Sequence, residues 1–154
     1  ILTLGFSGLR VGELCALDVD DIDFSDGIIN VRSGKGDKGR IALIEERTVM
    51  ALKDYLDARK ATAGPLFLSS HRLRINERTV QRIIKKYANK AGITKKVTPH
   101  VLRHTFATTL LKQGADIRII QQLLGHASVA TTQIYTHLDD RALRDAYTRA
   151  KPQY

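Results

Sequence analysis

The sequence predicts an α+β fold that is mainly α, with a small three-stranded antiparallel sheet near the N-terminus. Three observations lead there. Short alternating apolar runs are confined to residues 22–44, around an Asp26-Gly27 turn. After residue 45, apolar residues recur at helical spacing. Between those helical stretches stand cap and stop residues: Asn76, Gly92, Thr98-Pro99, Gly114, Asp116 and Gly125.

Taken in order, residues 1–6 and 10–17 read as two short helices split by Ser7-Gly8. Arg10, Glu13 and Leu14 stand at i, i+3 and i+4 and are expected on one face. Alternation in Ile22–Phe24 and Ile28–Val31 around Asp26-Gly27 predicts a hairpin. Residues 11–31 hold six acids and no Lys or Arg, so that surface is expected to face away from a polyanion. The stretch SGKGDKGR is a glycine-punctuated turn that sets Lys35 on an exposed loop before a third strand, Ile41–Ile44. Residues 45–60 repeat Val49, Leu52 and Leu56 at helical spacing, and Gly64-Pro65 breaks the chain.

Asn76 is expected to cap a helix running to Ala91 and closed by Gly92. Its apolar face is Val80, Ile83, Ile84, Tyr87 and Ala91; its other face carries Arg78, Arg82, Lys85, Lys86 and Lys90. Thr98 with Pro99 at the first helical position opens the next helix, which Gly114 ends. Asp116 caps 117–124, closed by Gly125. Ser128 is expected to cap a short helix leading to Tyr135, and residues 139–150 form the last helix. That helix has Leu138, Ala142, Leu143 and Ala146 close to one face.

The chain of 154 residues is long enough for one domain with a proper core. It carries 25 Lys and Arg against 16 acids, a net charge of +9. Such an excess favours a polyanionic partner through neutralised phosphates and released counterions, although ribosome-associated and membrane-surface proteins share the number. The single cysteine, Cys15, excludes an intrachain disulfide. The sequence contains neither an 18-residue apolar run nor the basic start of a signal peptide, so a cytoplasmic, nucleoid-associated protein without membrane contact is expected. The chain enters an apolar helical pattern at residue 1 without a start signal, so it is expected to be a fragment spanning one catalytic domain, 1–154.

Two segments concentrate chemistry. TPHVLRH places His100 and Arg103 on one face at a helix N-terminus, where free N–H groups favour anions. LLGHASVATTQIYTHL places His126 nine residues before Tyr135. With Arg10 from SGLRVGEL and Lys35, the set holds two guanidiniums, one ammonium, two imidazoles and one phenol, with no carboxylate pair and no Ser or Cys nucleophile motif. That inventory suits phosphodiester chemistry with a tyrosine nucleophile. Each piece alone has a plain structural reading: Arg10 as a surface partner of Glu13, His126 as a helix C-cap, Tyr135 as a core aromatic, the basic helix as a solvated face. His100 and His104 have a spacing that zinc can use, but the HExxH glutamate and a cysteine cluster are both missing, so no metal is expected.

As a set, R…K…HxxR…H…Y resembles the tyrosine recombinase family of phage integrases and Xer-type recombinases, specifically its catalytic domain, from residue 1 to about 150. The resemblance implies a site-specific recombinase that cleaves and rejoins DNA through a 3′-phosphotyrosyl intermediate, using neither metal nor ATP. Tyr135 would attack the scissile phosphorus. Arg10 and Arg103 would grip its non-bridging oxygens, with Glu13 orienting Arg10. His126 would donate to a non-bridging oxygen, His100 would act as base, and Lys35, with Lys38 as its rival in the loop, would protonate the leaving 5′ oxygen. The basic helix would enter the major groove, with Arg78, Gln81 and Arg82 near base edges and Lys85, Lys86 and Lys90 on phosphates. Further implications are a tetramer on paired DNA sites, a preceding helical domain that closes the DNA clamp, and a last helix docked on its own domain or on a neighbour's. A DNA-binding module without catalysis and a type IB topoisomerase-like relaxing enzyme stand as alternatives.

Overall fold

Alternation in the strands decides the architecture, because the small sheet has apolar residues on both faces. The computed structural model describes residues 1–32, 39–125 and 140–152. β1 (Ile22–Asp23), β2 (Ile28–Val31) and β3 (Arg40–Leu43) form an antiparallel sheet in the order β1-β2-β3. Ile29 pairs with Ile22 and with Ala42, and Val31 pairs with Arg40. Ile29, Val31 and Ala42 point into one apolar cluster, whereas Ile28, Ile41 and Leu43 point into a second. The sheet thus stands between two cores, as its period of two dictates. The turn forms at Asp26-Gly27 as expected: Gly27 has φ +65°, and the Asp23 carboxylate accepts from the backbone N–H groups of Ser25 and Asp26 at 2.9 and 3.1 Å. Phe24 falls outside β1, and β3 begins one residue before the expected strand.

Among the described residues, seven α-helices pack around the sheet: α1 (Leu2–Ser7), α2 (Val11–Ala16), α3 (Glu46–Arg59), α4 (Glu77–Lys90), α5 (Pro99–Lys112), α6 (Ile117–Leu124) and α7 (Asp140–Ala150). The predicted caps form. Asn76, Thr98 and Asp116 accept from the backbone N–H groups of Thr79, Val101 and Arg118 at 2.9, 3.2 and 2.7 Å. Val49, Leu52 and Leu56 of α3 enter the first core with Val80 and Ile84 of α4. On α4 the structure corrects the apolar face: Ala88 is buried, whereas Tyr87 and Ala91 are exposed. Tyr87 instead lies under Lys90, whose Nζ is 5.9 Å from the ring centroid. The short helix expected from Ser128 to Tyr135 lies outside the described residues.

The second core joins α5, α6 and α7 through Phe106, Leu110, Ile120, Leu123, Leu143 and Tyr147. α7 therefore docks on its own chain. Its Tyr147 hydroxyl donates to the Phe6 carbonyl at 2.8 Å, and Arg144 pairs with Asp26 at 2.9 Å. Leu143 and Ala146 are buried as expected, with Tyr147 and Ala150 added to the face. Among the described residues, no helix is long and apolar enough to cross a membrane.

The acidic stretch does not present one acidic face. Asp18 and Asp21 bind Arg32 at 3.3 and 2.7 Å, Asp18 also binds Arg74 at 2.5 Å, and Glu13 turns toward arginines of its own. A hydrogen bond from Arg74 holds the Asp18 carboxyl below its usual range. The sequence run misleads because the arginines that neutralise it arrive from outside the run.

Gly8 ends α1 in the left-handed region at φ +65°, and a Cβ there would lie 2.7 Å from the Phe106 ring and 2.9 Å from Leu124 Cδ2. Gly64 has φ +82° with nothing within 4 Å. Gly64→Ala is expected to cost about 1–2 kcal/mol for its backbone alone. Gly8→Ala adds overpacking of about 1–3 kcal/mol, to a total of roughly 3 kcal/mol. Urea unfolding of the two variants measures the difference; equal losses would refute the close approach at Gly8.

Candidate active site

Arg10 is held by a cap rather than by a helix face. It precedes α2 in an extended conformation, φ −72° and ψ 151°, and its side chain is half exposed while Leu14 is buried in the core. The expected i, i+3 pairing of Arg10 with Glu13 forms, whereas Leu14 turns away into the core. Arg10 and Glu13 meet through half of a capping box: the Glu13 carboxylate accepts from the Arg10 backbone N–H at 2.6 Å and from Arg10 Nη1 at 2.8 Å.

Arg103 reaches the same place from α5. Its Nη1 donates to the Gly8 carbonyl at 2.5 Å and its Nη2 to the Leu124 carbonyl at 2.7 Å. Arg10 Nη2 donates to the next carbonyl, Gly125, at 3.2 Å. Two guanidiniums thus converge on the C-terminal carbonyls of α6, where the helix dipole favours positive charge. The packing of α1 on α5, fixed at Gly8 and Phe106, brings residues 93 and 95 positions apart into this contact.

Burial, and then the neighbouring Arg10 charge, lower the Arg103 pKa to about 10. Both the folded and the unfolded arginine stay charged to about pH 9, so Arg103 adds no pH dependence to stability below that. Above about pH 10 the folded form loses its proton first, and its contribution to stability rises with pH. The surroundings of Arg103 therefore disfavour its charged form.

His100 lies one turn before Arg103 on α5 and is exposed. The candidate DNA contacts Arg78, Gln81, Arg82, Lys85, Lys86 and Lys90 are all exposed on α4. Lys35, Lys38, His126 and Tyr135 lie outside the described residues; in sequence, His126 directly follows Gly125. Among the described residues, no group of three or more His, Cys, Asp or Glu side chains could hold a metal.

Sequence reasoning missed Arg40. Its side chain is 13% exposed, and its Nη2 donates to Glu13 Oε2 at 2.7 Å, so one carboxylate serves two arginines. The residue closes a glycine- and lysine-rich turn, where Lys35 and Lys38 draw attention first. The signal available was the placement of an arginine at the first position of an otherwise apolar strand.

Two guanidiniums on one carboxylate, with a third on the adjoining carbonyls, form a cationic cluster of the class whose donor geometry suits phosphodiester oxygens. The comparisons narrow the class. The phage integrase family model matches residues 2–142. A tyrosine recombinase XerC of Thermodesulfovibrio yellowstonii is 47% identical over 95% of this chain and 51% of its own length. A tyrosine recombinase XerA of Pyrococcus furiosus is 49% identical over 97% of this chain and 53% of its own. The crystal structure of a XerA recombinase superposes with a TM-score of 0.78 at 57% identity, covering 99% of this chain and 56% of that one. A XerH site-specific recombinase bound to its difH substrate superposes with a TM-score of 0.71 at 30% identity, covering 94% of this chain and 44% of that one. The chain belongs to the phage integrase family. It spans about half the length of the curated relatives it matches.

If Arg103 awaits an anion, inorganic phosphate at about ten times its dissociation constant should stabilise the protein by about 1.4 kcal/mol. Arg103→Met should abolish that increment, and Arg82→Met, on exposed α4, should leave it unchanged. Thermal unfolding with and without phosphate checks this; an equal increment in all three proteins would place the anion elsewhere.

Proposed function

We propose that the protein carrying this chain is a site-specific DNA recombinase that cleaves and rejoins strands through a 3′-phosphotyrosyl intermediate. The observation that carries the reading is the convergence of Arg10 and Arg103 at the end of α6, immediately before His126 in the sequence. Attack on a phosphodiester builds negative charge on the non-bridging oxygens, and donors preorganised toward them are usually the largest catalytic contribution. Arg10 and Arg103 supply those donors, with His126 as a third. Without DNA the two guanidiniums rest on backbone carbonyls, which a phosphate replaces as acceptors.

Tyr135 is the nucleophile. A tyrosine phenol is ordinarily protonated at neutral pH, so the proposed reaction needs His100 as base and guanidiniums that favour the phenolate. The Tyr135 oxygen bonds to phosphorus, the bond to the 5′ oxygen breaks, and Lys35 gives that oxygen its proton. The phosphotyrosyl bond conserves the energy of the broken linkage, so a 5′ hydroxyl from another strand reverses the step without metal or ATP. Duplex DNA is the partner. The exposed stripe on α4 meets it, with Arg78, Gln81 and Arg82 toward bases and Lys85, Lys86 and Lys90 toward phosphates. A homotetramer on paired sites performs the exchange, and a domain outside this chain completes the DNA clamp. The XerH relative is described in complex with a DNA substrate, which supports this reading over a small-anion receptor.

The full-length protein should form a covalent DNA adduct that Tyr135→Phe abolishes while DNA binding persists. An adduct in the Phe variant would assign the nucleophile to another residue. Lys35→Ala should block cleavage of ordinary DNA and be rescued by a substrate with sulfur as the 5′ leaving atom, because a thiolate leaves without a proton. Rescue seen for Lys38→Ala but not for Lys35→Ala would move the general acid to Lys38.

A further inference from the structure

We infer that Arg40 is a positioning residue for strand cleavage, a buried guanidinium that fixes the Glu13 carboxylate, and through it Arg10, while bracing the Gly125 turn. The inference rests on the recombinase reading and deepens it.

Arg40 opens β3, paired with Val31, and leaves the sheet toward the end of α6. There it lies between two parts of the site. On one side its Nη2 holds Glu13 Oε2, the same oxygen that accepts the Arg10 backbone N–H. On the other side its stem lies against Gly125, where a Cβ would collide with both Cδ and Nε. Gly125 is also left-handed, φ +63°, so the turn needs glycine for its backbone and for the guanidinium packed upon it. The carbonyl of this residue accepts from Arg10 Nη2. Arg40 thus touches both supports of Arg10: the carboxylate that orients it and the turn on which its free end rests.

Stability alone does not account for such a residue. Arg40 Nε and Nη1 are buried and have no hydrogen-bond partner among the described residues. Unsatisfied buried donors are costly, and a native structure retains few of them. Burial lowers the pKa of Arg40, and the Arg10 charge lowers it further. The charge balance supplies a functional reason. With Arg10 alone, Glu13 would neutralise it and draw both guanidinium ends onto its oxygens. With Arg40 sharing the carboxylate, two guanidiniums divide one negative charge, and Arg10 keeps positive charge and its Nη2 end for a phosphate oxygen.

The test uses the full-length protein and two substrates, one with an ordinary scissile phosphate and one with a neutral methylphosphonate there. Arg40→Met keeps the stem against Gly125 and removes the charge. It should slow adduct formation on the phosphate about 100-fold, the order of loss that a misplaced catalytic group produces, with DNA affinity little changed. On the methylphosphonate, which needs less positive charge, most of that defect should vanish. Arg40→Lys restores a donor to Glu13 and should recover most of the rate. If Arg40→Met does not fold, the cycle of Arg40→Gln with Glu13→Gln serves: the double variant should be only slightly slower than Glu13→Gln alone, because most of the Arg40 effect passes through Glu13. Wild-type rates in Arg40→Met, equal losses on both substrates in step with thermal stability, or additive losses in the cycle would overturn the role. A wild-type protein that forms no adduct would overturn the recombinase reading itself, and this inference with it.

Discussion

One carboxylate shared by two arginines organises the site. Glu13 takes a backbone N–H and one guanidinium end from Arg10 and one end from Arg40, so all three groups are fixed by a few short hydrogen bonds. Charge-assisted bonds of this kind are stronger and more directional than neutral ones. The remaining positive charge has no carboxylate left to meet among the described residues of the cluster. It rests on the carbonyls of Gly8, Leu124 and Gly125, which accept hydrogen bonds but carry no full charge. Guanidinium ends satisfied only by dipoles gain more from a full negative charge than from a carbonyl.

That arrangement depends on close backbone approaches made far apart in sequence. Gly8 lies against Phe106 and Leu124, and Gly125 lies against Arg40. Each contact removes the room for a side chain, so each brings two elements nearer than ordinary residues permit. The sheet supplies the third constraint. Because β3 turns Ala42 into one core and Leu43 into the other, its first residue, Arg40, is anchored between them and cannot drift from the site. Seating α7 on α5 and on the Phe6 carbonyl closes the second core beneath Phe106, so the helix that ends the described chain also supports the helix carrying Arg103.

Local signals made most of the elements legible. Asn76, Thr98 and Asp116 cap the helices they were expected to cap, because capping is a contact between neighbours in sequence. The Asp26-Gly27 turn was legible for the same reason. What escaped depends on distant partners. Tyr87 fits the apolar spacing of α4, yet the core takes Ala88, because a helix face 3.6 residues around is settled by what packs against it. The acids of residues 11–31 looked like one repelling surface until Arg32, Arg40 and Arg74 supplied their partners. In the site, Arg10, Glu13 and Arg103 were legible as motif members, but Arg10 proved to be a cap rather than a helical residue, and Arg40 was hidden in a turn whose lysines outnumber it. Its role depends on Gly125, 85 positions away, which no local pattern reveals.

In the proposed reaction, Arg10 and Arg103 hold one phosphate between them. A structure of the full-length protein with duplex DNA across its cleavage site tests this most directly. The account predicts non-bridging oxygens of the scissile phosphate within about 3 Å of guanidinium nitrogens from both residues, with the bonds to Leu124 and Gly125 carbonyls lengthened or exchanged. A scissile phosphate held elsewhere, with both arginines still on their carbonyls, would contradict it.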